Sequence, residues 1–169
     1  MSSQDELYEQ VAAEFNAALG RLAYAYEADS DRRRDLLQEI HLALWRSFEA
    51  FQGRCSLRTW VYRVAHNTAI SWAMKQRRAR TGSLISLDEI DVRAVAADAD
   101  REVDIERLRA LIRRLKPLDR TIILAYLEGI DACGIAELTG LSAGNAATKI
   151  HRIKQVLARN FKEGPSHVH

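Results

Sequence analysis

The chain has 169 residues, of which 47% are apolar and 28% charged, a balance typical of a folded protein rather than a disordered one. Two cysteines, Cys55 and Cys133, are too few for a secreted disulfide framework or a four-cysteine metal site. The sequence shows no signal peptide and no run of 18 apolar residues, so we expect a cytoplasmic protein without membrane insertion.

Helical periodicity dominates the first 80 residues, where glycine and proline are sparse. The pattern predicts a helix over about 4–27 with a candidate break at Gly20, and a second helix from an Asp31 cap to about Phe51. A third helix is predicted from a Ser56 cap to about Arg78. One arc of this third helix is apolar and is predicted to face a core: Leu57, Trp60, Val61, Val64, Thr68 and Trp72.

The charge distribution separates a linker from two basic regions. Residues 81–102 carry two basic and six acidic side chains and lose the helical pattern, which indicates a flexible acidic linker able to reach roughly 70 Å when extended. Acidic residues are absent from 50–87 and from 138–162, while basic residues occur in both stretches. A surface that carries only positive charge is typical of nucleic-acid binding, although solvated basic helix faces are the simpler alternative.

The C-terminal part predicts four short helices. The first runs over about 103–115 and ends before Pro117, the second is capped by Asp119, and the third is capped by Asp131. The sequence Gly140-Leu141-Ser142 then predicts a tight turn into a last helix that ends near Phe161. We therefore expect two all-α domains, over 1–80 and 103–163, followed by a tail over 164–169.

The turn at Gly140 gives the last two helices the pattern of a helix-turn-helix. Side chains suited to base edges and phosphates share the outer arc of the last helix: Asn145, Thr148, Lys149, His151 and Arg152. An ordinary helical hairpin with a polar outer face is the alternative. Gly134 lies inside the preceding short helix, where a glycine costs about 1 kcal/mol.

A second face of the third helix predicts contact with unstacked bases. This face is predicted to carry Tyr62, Arg63, His66, Asn67 and Ile70, with Phe51 just upstream. Aromatic rings mixed with Arg and Asn on a basic surface suit single-stranded bases, which stack on rings. The alternative is that Phe51 and Tyr62 are partly buried packing residues.

The order of these parts resembles the extracytoplasmic-function sigma factors of bacterial RNA polymerase. The resemblance rests on Asp35-Leu-Leu-Gln38-Glu39 followed by Trp45, on the string from Ser56 to Tyr62 before Asn67, and on the acidic segment before a helix-turn-helix. It covers residues 8–80 and 103–161. It implies a helical region two and a helix-turn-helix region four, joined by the linker, which would thread towards the RNA exit channel.

The resemblance also implies partners and site residues. The clamp helices of the largest polymerase subunit would contact Asp35, Gln38, Glu39 and Trp45, and region four would meet the flap of the second-largest subunit. The minus-ten element would contact Phe51, Arg58, Tyr62, Arg63, Asn67, Lys75, Arg77 and Arg78. The minus-thirty-five element would contact Asn145, Thr148, Lys149, His151 and Arg152. An anti-sigma factor is a further expected partner.

Two other functions are compatible with the residues alone. A stand-alone helix-turn-helix regulator would bind duplex DNA without polymerase, and a helical adaptor would use its basic faces on acidic proteins. No metal-spaced His/Cys cluster, phosphate-binding glycine loop or catalytic triad is apparent in the sequence. We therefore expect neither an enzyme nor a cofactor.

Overall fold

The computed structural model describes residues 3–81 and 101–163, and its regular secondary structure in these ranges is helical. The helices are α1 (Ser3–Tyr26), α2 (Ser30–Ser47), a 3-10 turn (Phe48–Ala50), α3 (Leu57–Thr81), α4 (Arg101–Arg113), α5 (Pro117–Leu127), α6 (Ala132–Thr139) and α7 (Ala143–Lys162). No strand occurs in the described ranges, so the predicted all-α fold is confirmed. The predicted tail and nearly all of the predicted linker lie outside the described residues, and the domain boundaries stay a prediction.

Two hydrophobic cores organise the helices. Helices α1, α2 and α3 surround the first, and α4 to α7 surround the second. Fully buried Leu19, Leu36, Ile40, Leu44 and Val61 fill the centre of the first core. Burying one such side chain stabilises the fold by about 1.5–3 kcal/mol. Most of the stability of these helices therefore comes from packing and not from intrinsic helix propensity.

Helix boundaries follow capping chemistry, with two differences from the predictions. Asp29, and not Asp31, caps α2: its side chain accepts hydrogen bonds from the backbone N–H groups of Asp31 and Arg32. Helix α5 begins one turn earlier than expected, because Pro117 occupies its first turn and Asp119 lies inside it. Gly20 does not break α1, which is continuous from Ser3 to Tyr26.

Helix α3 faces the core through a different arc from the predicted one. Its buried side chains are Thr59, Val61, Tyr62, Ala65, His66 and Ala69, whereas all members of the predicted arc other than Val61 are only partly buried. The buried arc is wide because α3 is covered on two sides. Helices α1 and α2 cover one side, and α5 and α6 of the other bundle cover part of a second side.

The two bundles pack directly against each other. Helix α3 contacts α5 and α6, and α1 contacts α4. Three half-buried side chains, Leu124, Ile130 and Leu138, pack against both cores and so join them. Within the described ranges, no helix is long and apolar enough to cross a membrane.

Candidate polymerase and nucleic-acid interfaces

Helix α7 has the two faces expected of a recognition helix. Its inner face buries Ala146, Ile150, Ile153 and Leu157, as predicted. The turn before it ends α6 at Gly140, whose φ is 79°, a backbone conformation that favours glycine. Ser142 then accepts a hydrogen bond from the backbone N–H of Asn145 at 3.1 Å and fixes the start of α7.

The outer face of α7 is open to solvent for most of the predicted contacts. Asn145, Thr148, His151 and Arg152 are exposed. Lys149 differs, because its ammonium donates a hydrogen bond to a carboxylate oxygen of Asp119 in α5 at 3.1 Å. Four of the five predicted side chains are therefore uncovered, and the fifth is paired with a protein carboxylate.

The predicted polymerase-binding residues lie along one exposed side of α2. Asp35, Gln38 and Glu39 are exposed, and Leu42 extends the row with 45% of its surface accessible. Trp45 is 39% exposed, and its ring N–H donates to a carboxylate oxygen of Asp5 at 3.1 Å. Charged groups beside solvent-exposed leucine and tryptophan form a surface that a partner helix can cover.

Tyr62 and His66 do not lie on an exposed face, which corrects the sequence analysis. Tyr62 is 3% exposed and His66 is 2% exposed. The Tyr62 ring packs edge-on against Phe15 of α1, with centroids 6.1 Å apart. At about 100° per residue, positions 62 and 67 are roughly 140° apart around the helix, so Tyr62 and the exposed Asn67 cannot share a face.

Asn67 shares its side of α3 with Trp60 and Arg63, which recur at helical spacing. Trp60, assigned to the core from the sequence, is half-buried, and its ring lies 5.3 Å from that of Phe51. The spacing i, i+3, i+7 from Trp60 to Asn67 was a usable signal for this face. The apolar arc that Trp60 shares with Val61 and Val64 instead predicts a core position for it.

A solvent-accessible cleft of about 390 Å³ lies beside the Phe51 and Trp60 rings. Its other walls include Gln52, Arg54 and Arg63, so aromatic rings, an amide and two guanidinium groups line one space. Gln52, Arg54 and Trp60 were absent from the predicted site. This cleft has the mixed aromatic and polar lining that suits a stacked base.

The carboxyl end of α3 is a basic surface. Lys75, Arg77 and Arg78 are exposed along its last turns. None of them neighbours an acidic residue in sequence, since the acid-free stretch covers this end of the helix. Exposed cations of this kind contact phosphates without reading sequence.

Three predicted minus-ten residues instead contact the C-terminal bundle. The Arg58 guanidinium donates a hydrogen bond to the backbone carbonyl of Glu128, and the Tyr62 hydroxyl donates to the Glu128 carboxylate at 3.4 Å. Arg63 donates to the backbone carbonyl of Glu137 at 2.6 Å. In this arrangement the side-chain donor groups of Arg58, Tyr62 and Arg63 form hydrogen bonds with oxygen atoms of the protein itself.

A buried polar chain also crosses between the bundles. His66 Nδ1 lies 3.3 Å from the Tyr26 hydroxyl, which lies 3.3 Å from the Thr121 hydroxyl of α5. Thr121 donates its own proton to the Pro117 carbonyl. Burial lowers the pKa of His66 to about 3, so its imidazole is neutral at physiological pH. The other ring nitrogen, Nε2, has no hydrogen-bond partner among the described residues.

No group of three or more His, Cys, Asp or Glu residues in the described ranges is arranged to hold a metal ion. The recognisable interfaces are thus the exposed row on α2, the cleft and basic end of α3, and the outer face of α7.

Comparisons with known proteins identify the family. Residues 13–79 match the family described as Sigma-70 region 2, and residues 105–157 match Sigma-70, region 4. The chain is an extracytoplasmic-function sigma factor. It is therefore a transcription initiation factor that directs RNA polymerase to promoters.

The sequence of one relative matches nearly the whole of this sigma factor. It is 27% identical over 165 residues to the ECF RNA polymerase sigma factor SigX of Bacillus subtilis (strain 168), covering 94% of this chain and 85% of SigX.

Two solved structures share its fold. One is CnrH in complex with the cytosolic domain of CnrY, with a TM-score of 0.67, 18% identity, and coverage of 92% of this chain and 87% of CnrH. The other is the sigma factor RpoE in complex with the anti-sigma factor NepR from Bartonella quintana, with a TM-score of 0.68, 19% identity, and coverage of 92% and 97%.

Proposed function

We propose that this sigma factor divides promoter recognition among three surfaces. The exposed row on α2 binds the clamp helices of the largest polymerase subunit, α7 reads the minus-thirty-five element, and α3 with the cleft beside it holds the opened minus-ten element. The observation that carries the proposal is α7: a capped, amphipathic helix with uncovered Asn145, Thr148, His151 and Arg152 opposite a buried apolar face.

The position of the cleft changes which residues we assign to the minus-ten site. Phe51 and Trp60 supply the rings beside it, and Arg63 and Asn67 continue that side of α3. Stacking contributes about 1–3 kcal/mol per base, comparable with the few kcal/mol that removing a base from the duplex costs. Phosphate contacts from Lys75, Arg77 and Arg78 then favour the open strand, more strongly at low salt.

The role of α7 is tested with Arg152→Ala and a matched control, Lys162→Ala, in the last turn of the same helix. Arg152→Ala should reduce runoff transcription about 5- to 100-fold on promoters with the preferred minus-thirty-five element, the loss expected of one base contact. Lys162→Ala should change it less than threefold, and both variants should bind core polymerase as the wild type does. An equal loss of core affinity in Arg152→Ala would contradict the assignment.

The minus-ten site is tested with Asn67→Ala and Arg78→Ala on a panel of minus-ten sequences. Asn67→Ala should weaken transcription selectively by sequence, because an amide reads base edges. Arg78→Ala should weaken it on all promoters and reduce the salt dependence, because a phosphate contact carries no sequence information. Uniform losses for Asn67→Ala would remove this residue from the base-reading surface.

We further propose that the protein works in the cytoplasm, without covalent catalysis or a cofactor, and that an anti-sigma factor binds it. Both solved neighbours named above are complexes of a sigma factor with such a partner or with a cytosolic domain. A stand-alone regulator is the competing function. It would protect promoter DNA without polymerase, whereas the proposed sigma factor requires polymerase for specific protection.

A further inference from the structure

A mostly apolar cavity of about 330 Å³ lies where α1, α3, α4 and α5 meet. Ile105 and Leu127, which are 40% and 55% exposed, form the part of its wall that reaches solvent. The innermost wall residues are each 4% exposed or less: Leu22, Ala25, Tyr62, His66 and Ile112. The cavity is therefore closed at its inner end and open on one side, as small-molecule sites are.

The wall contains a buried nitrogen without a hydrogen-bond partner among the described residues, His66 Nε2. Its protonation follows from the hydrogen bonds around the ring. A hydroxyl has one proton to donate, and the Thr121 hydroxyl donates its proton to the Pro117 carbonyl at 3.1 Å. The Tyr26 hydroxyl then donates to Thr121, and His66 Nδ1 donates to Tyr26, each over 3.3 Å. Because a neutral imidazole carries one N–H, His66 Nε2 is a hydrogen-bond acceptor.

An acceptor that is buried without a partner destabilises the protein, and it is satisfied when a donor is brought to it. Water is poorly suited to this role here, because a bound water needs several polar partners and the cavity is mostly apolar. A largely apolar ligand with one N–H or O–H group supplies the donor and fills the remaining space. The chemistry of His66 therefore selects a ligand that donates a hydrogen bond.

The charged groups in the wall already have partners of opposite charge. Arg21 donates two hydrogen bonds to the Glu128 carboxylate, at 2.7 and 2.8 Å. Arg109 lies 3.8 Å from a carboxylate oxygen of Glu106. A carboxylate or phosphate on the ligand would have to displace a protein carboxylate, so the wall favours an uncharged ligand.

The volume of the cavity sets the size of the ligand. An apolar cavity of roughly 150 Å³ accepts one benzene molecule. This cavity, at about 330 Å³, has twice that space, enough for two fused rings. The Tyr62 ring in the wall offers an aromatic surface for such a ligand.

We propose that this cavity binds a neutral bicyclic aromatic molecule with a single hydrogen-bond donor, of which indole is the simplest example. The ligand donates its N–H to His66 Nε2 and packs its rings against the apolar wall. It contacts α1 and α3 of one bundle and α4 and α5 of the other. This site uses none of the residues assigned above to promoter or polymerase contacts.

The ligand class is tested by calorimetric titration of the purified full chain with indole and with benzofuran, which has the same shape but an oxygen in place of the N–H. Indole should bind with a dissociation constant of roughly 10 µM to 1 mM, the range open to a ligand of about nine non-hydrogen atoms. Benzofuran should bind about 3- to 10-fold more weakly, because it lacks the donor. Equal affinities would overturn the proposal.

The position of the site is tested by filling the open side of the cavity. Ile105→Trp should weaken indole binding about tenfold or more, because the new side chain and the ligand compete for one volume. The control is Leu118→Trp, which adds the same rings at a similarly exposed position outside the wall and should bind indole as the wild type does. Circular dichroism melting confirms that each variant is folded.

The role of His66 is tested with His66→Phe, which keeps an aromatic ring and removes the acceptor. Indole and benzofuran should then bind with equal affinity, a result that a purely structural role of His66 does not predict. A second measurement needs no substitution at this position. In nitrogen NMR spectra of the wild type, indole should shift the His66 Nε2 signal, and benzofuran should shift it much less.

The proposal is overturned if indole at millimolar concentration produces neither heat nor a shift of the His66 signal. It is also overturned if folded Ile105→Trp binds indole as the wild type does, or if folded His66→Phe still prefers indole to benzofuran. These experiments contain neither DNA nor polymerase. Failure of the proposed promoter function, seen as absence of promoter-specific transcription, is therefore distinguishable from failure of this site.

Discussion

Acid should destabilise this protein through His66, the buried histidine where α1, α3 and the C-terminal bundle meet. Its ring is 2% exposed, lies edge-on to Tyr26 and beside Tyr62, and lines a mostly apolar cavity of about 330 Å³. The Arg120 guanidinium packs over the Tyr26 ring, and Glu128 and Arg109 also line the cavity. Burial lowers the pKa of His66 to about 3.

The sign follows from proton binding in the two states. In the unfolded chain the pKa of a histidine is about 6.5, so at pH 5.5 the unfolded state binds a proton that the folded state excludes. The contribution of His66 to stability is complete above pH 6.5 and is lost as pH falls towards 3. Between pH 7.5 and 5.5 the loss is about 1.4 kcal/mol, the value of one pH unit below the unfolded pKa.

The assay is urea unfolding monitored by circular dichroism at both pH values for wild type, His66→Gln and a control, His151→Gln, at an exposed position. Burial also lowers the pKa of His41, and this effect is common to all three proteins, so the differences isolate His66. His66→Gln should lose about 1.4 kcal/mol less than the other two on acidification. Identical losses in wild type and His66→Gln would refute a neutral buried imidazole.

Three further predictions concern stability, each checked by urea or thermal melting. Gly134→Ala should destabilise by about 1–3 kcal/mol, because the new methyl group would lie 2.6 Å from Ile130 Cγ2, whereas Gly144→Ala, with nothing within 4 Å, should be neutral or stabilising. Ser142→Ala should cost about 1 kcal/mol by removing the cap of α7. Ile122→Ala should cost about 2–5 kcal/mol, because Ile122 is fully buried in the second core.

The helix-turn-helix was predictable because it is encoded locally. The cap residues Asp131 and Ser142, the left-handed Gly140 and the inward row from Ala146 to Leu157 all act within a few residues of where they lie. The structure confirms each of them. The same reasoning failed at Asp29, because two aspartates flank the start of α2 and either fits the cap rule.

Gly134 shows what local rules omit. Propensity alone counts this glycine as a cost to α6. The structure shows that it has a packing role, since Ile130 occupies the space that a side chain would need. Ile130 is itself fixed against both cores, and that placement depends on residues far away in sequence.

The orientation of α3 was not predictable from its own sequence. A helix covered on two sides has no single apolar stripe. The apolar periodicity of α3 therefore combines two partly buried faces and does not report the direction of either one. Tyr62 and His66 are buried because α1 packs on one side and α5 and α6 close over the other. The second contact joins residues far apart in sequence, such as Arg58 and Glu128, which are 70 positions apart, and no spacing rule reports it.

The contact between the bundles combines weak surface pairs with deeply buried groups. Arg21 is more than half exposed where it pairs with Glu128, and ion pairs of this kind contribute about 0–1 kcal/mol each. The buried part includes Tyr26, His66 and Thr121, whose side chains meet across the bundles while each is 7% exposed or less. Leu124, Ile130 and Leu138 add apolar contacts to both cores. Most of the free energy that holds the bundles together therefore comes from burial and not from the exposed ion pairs.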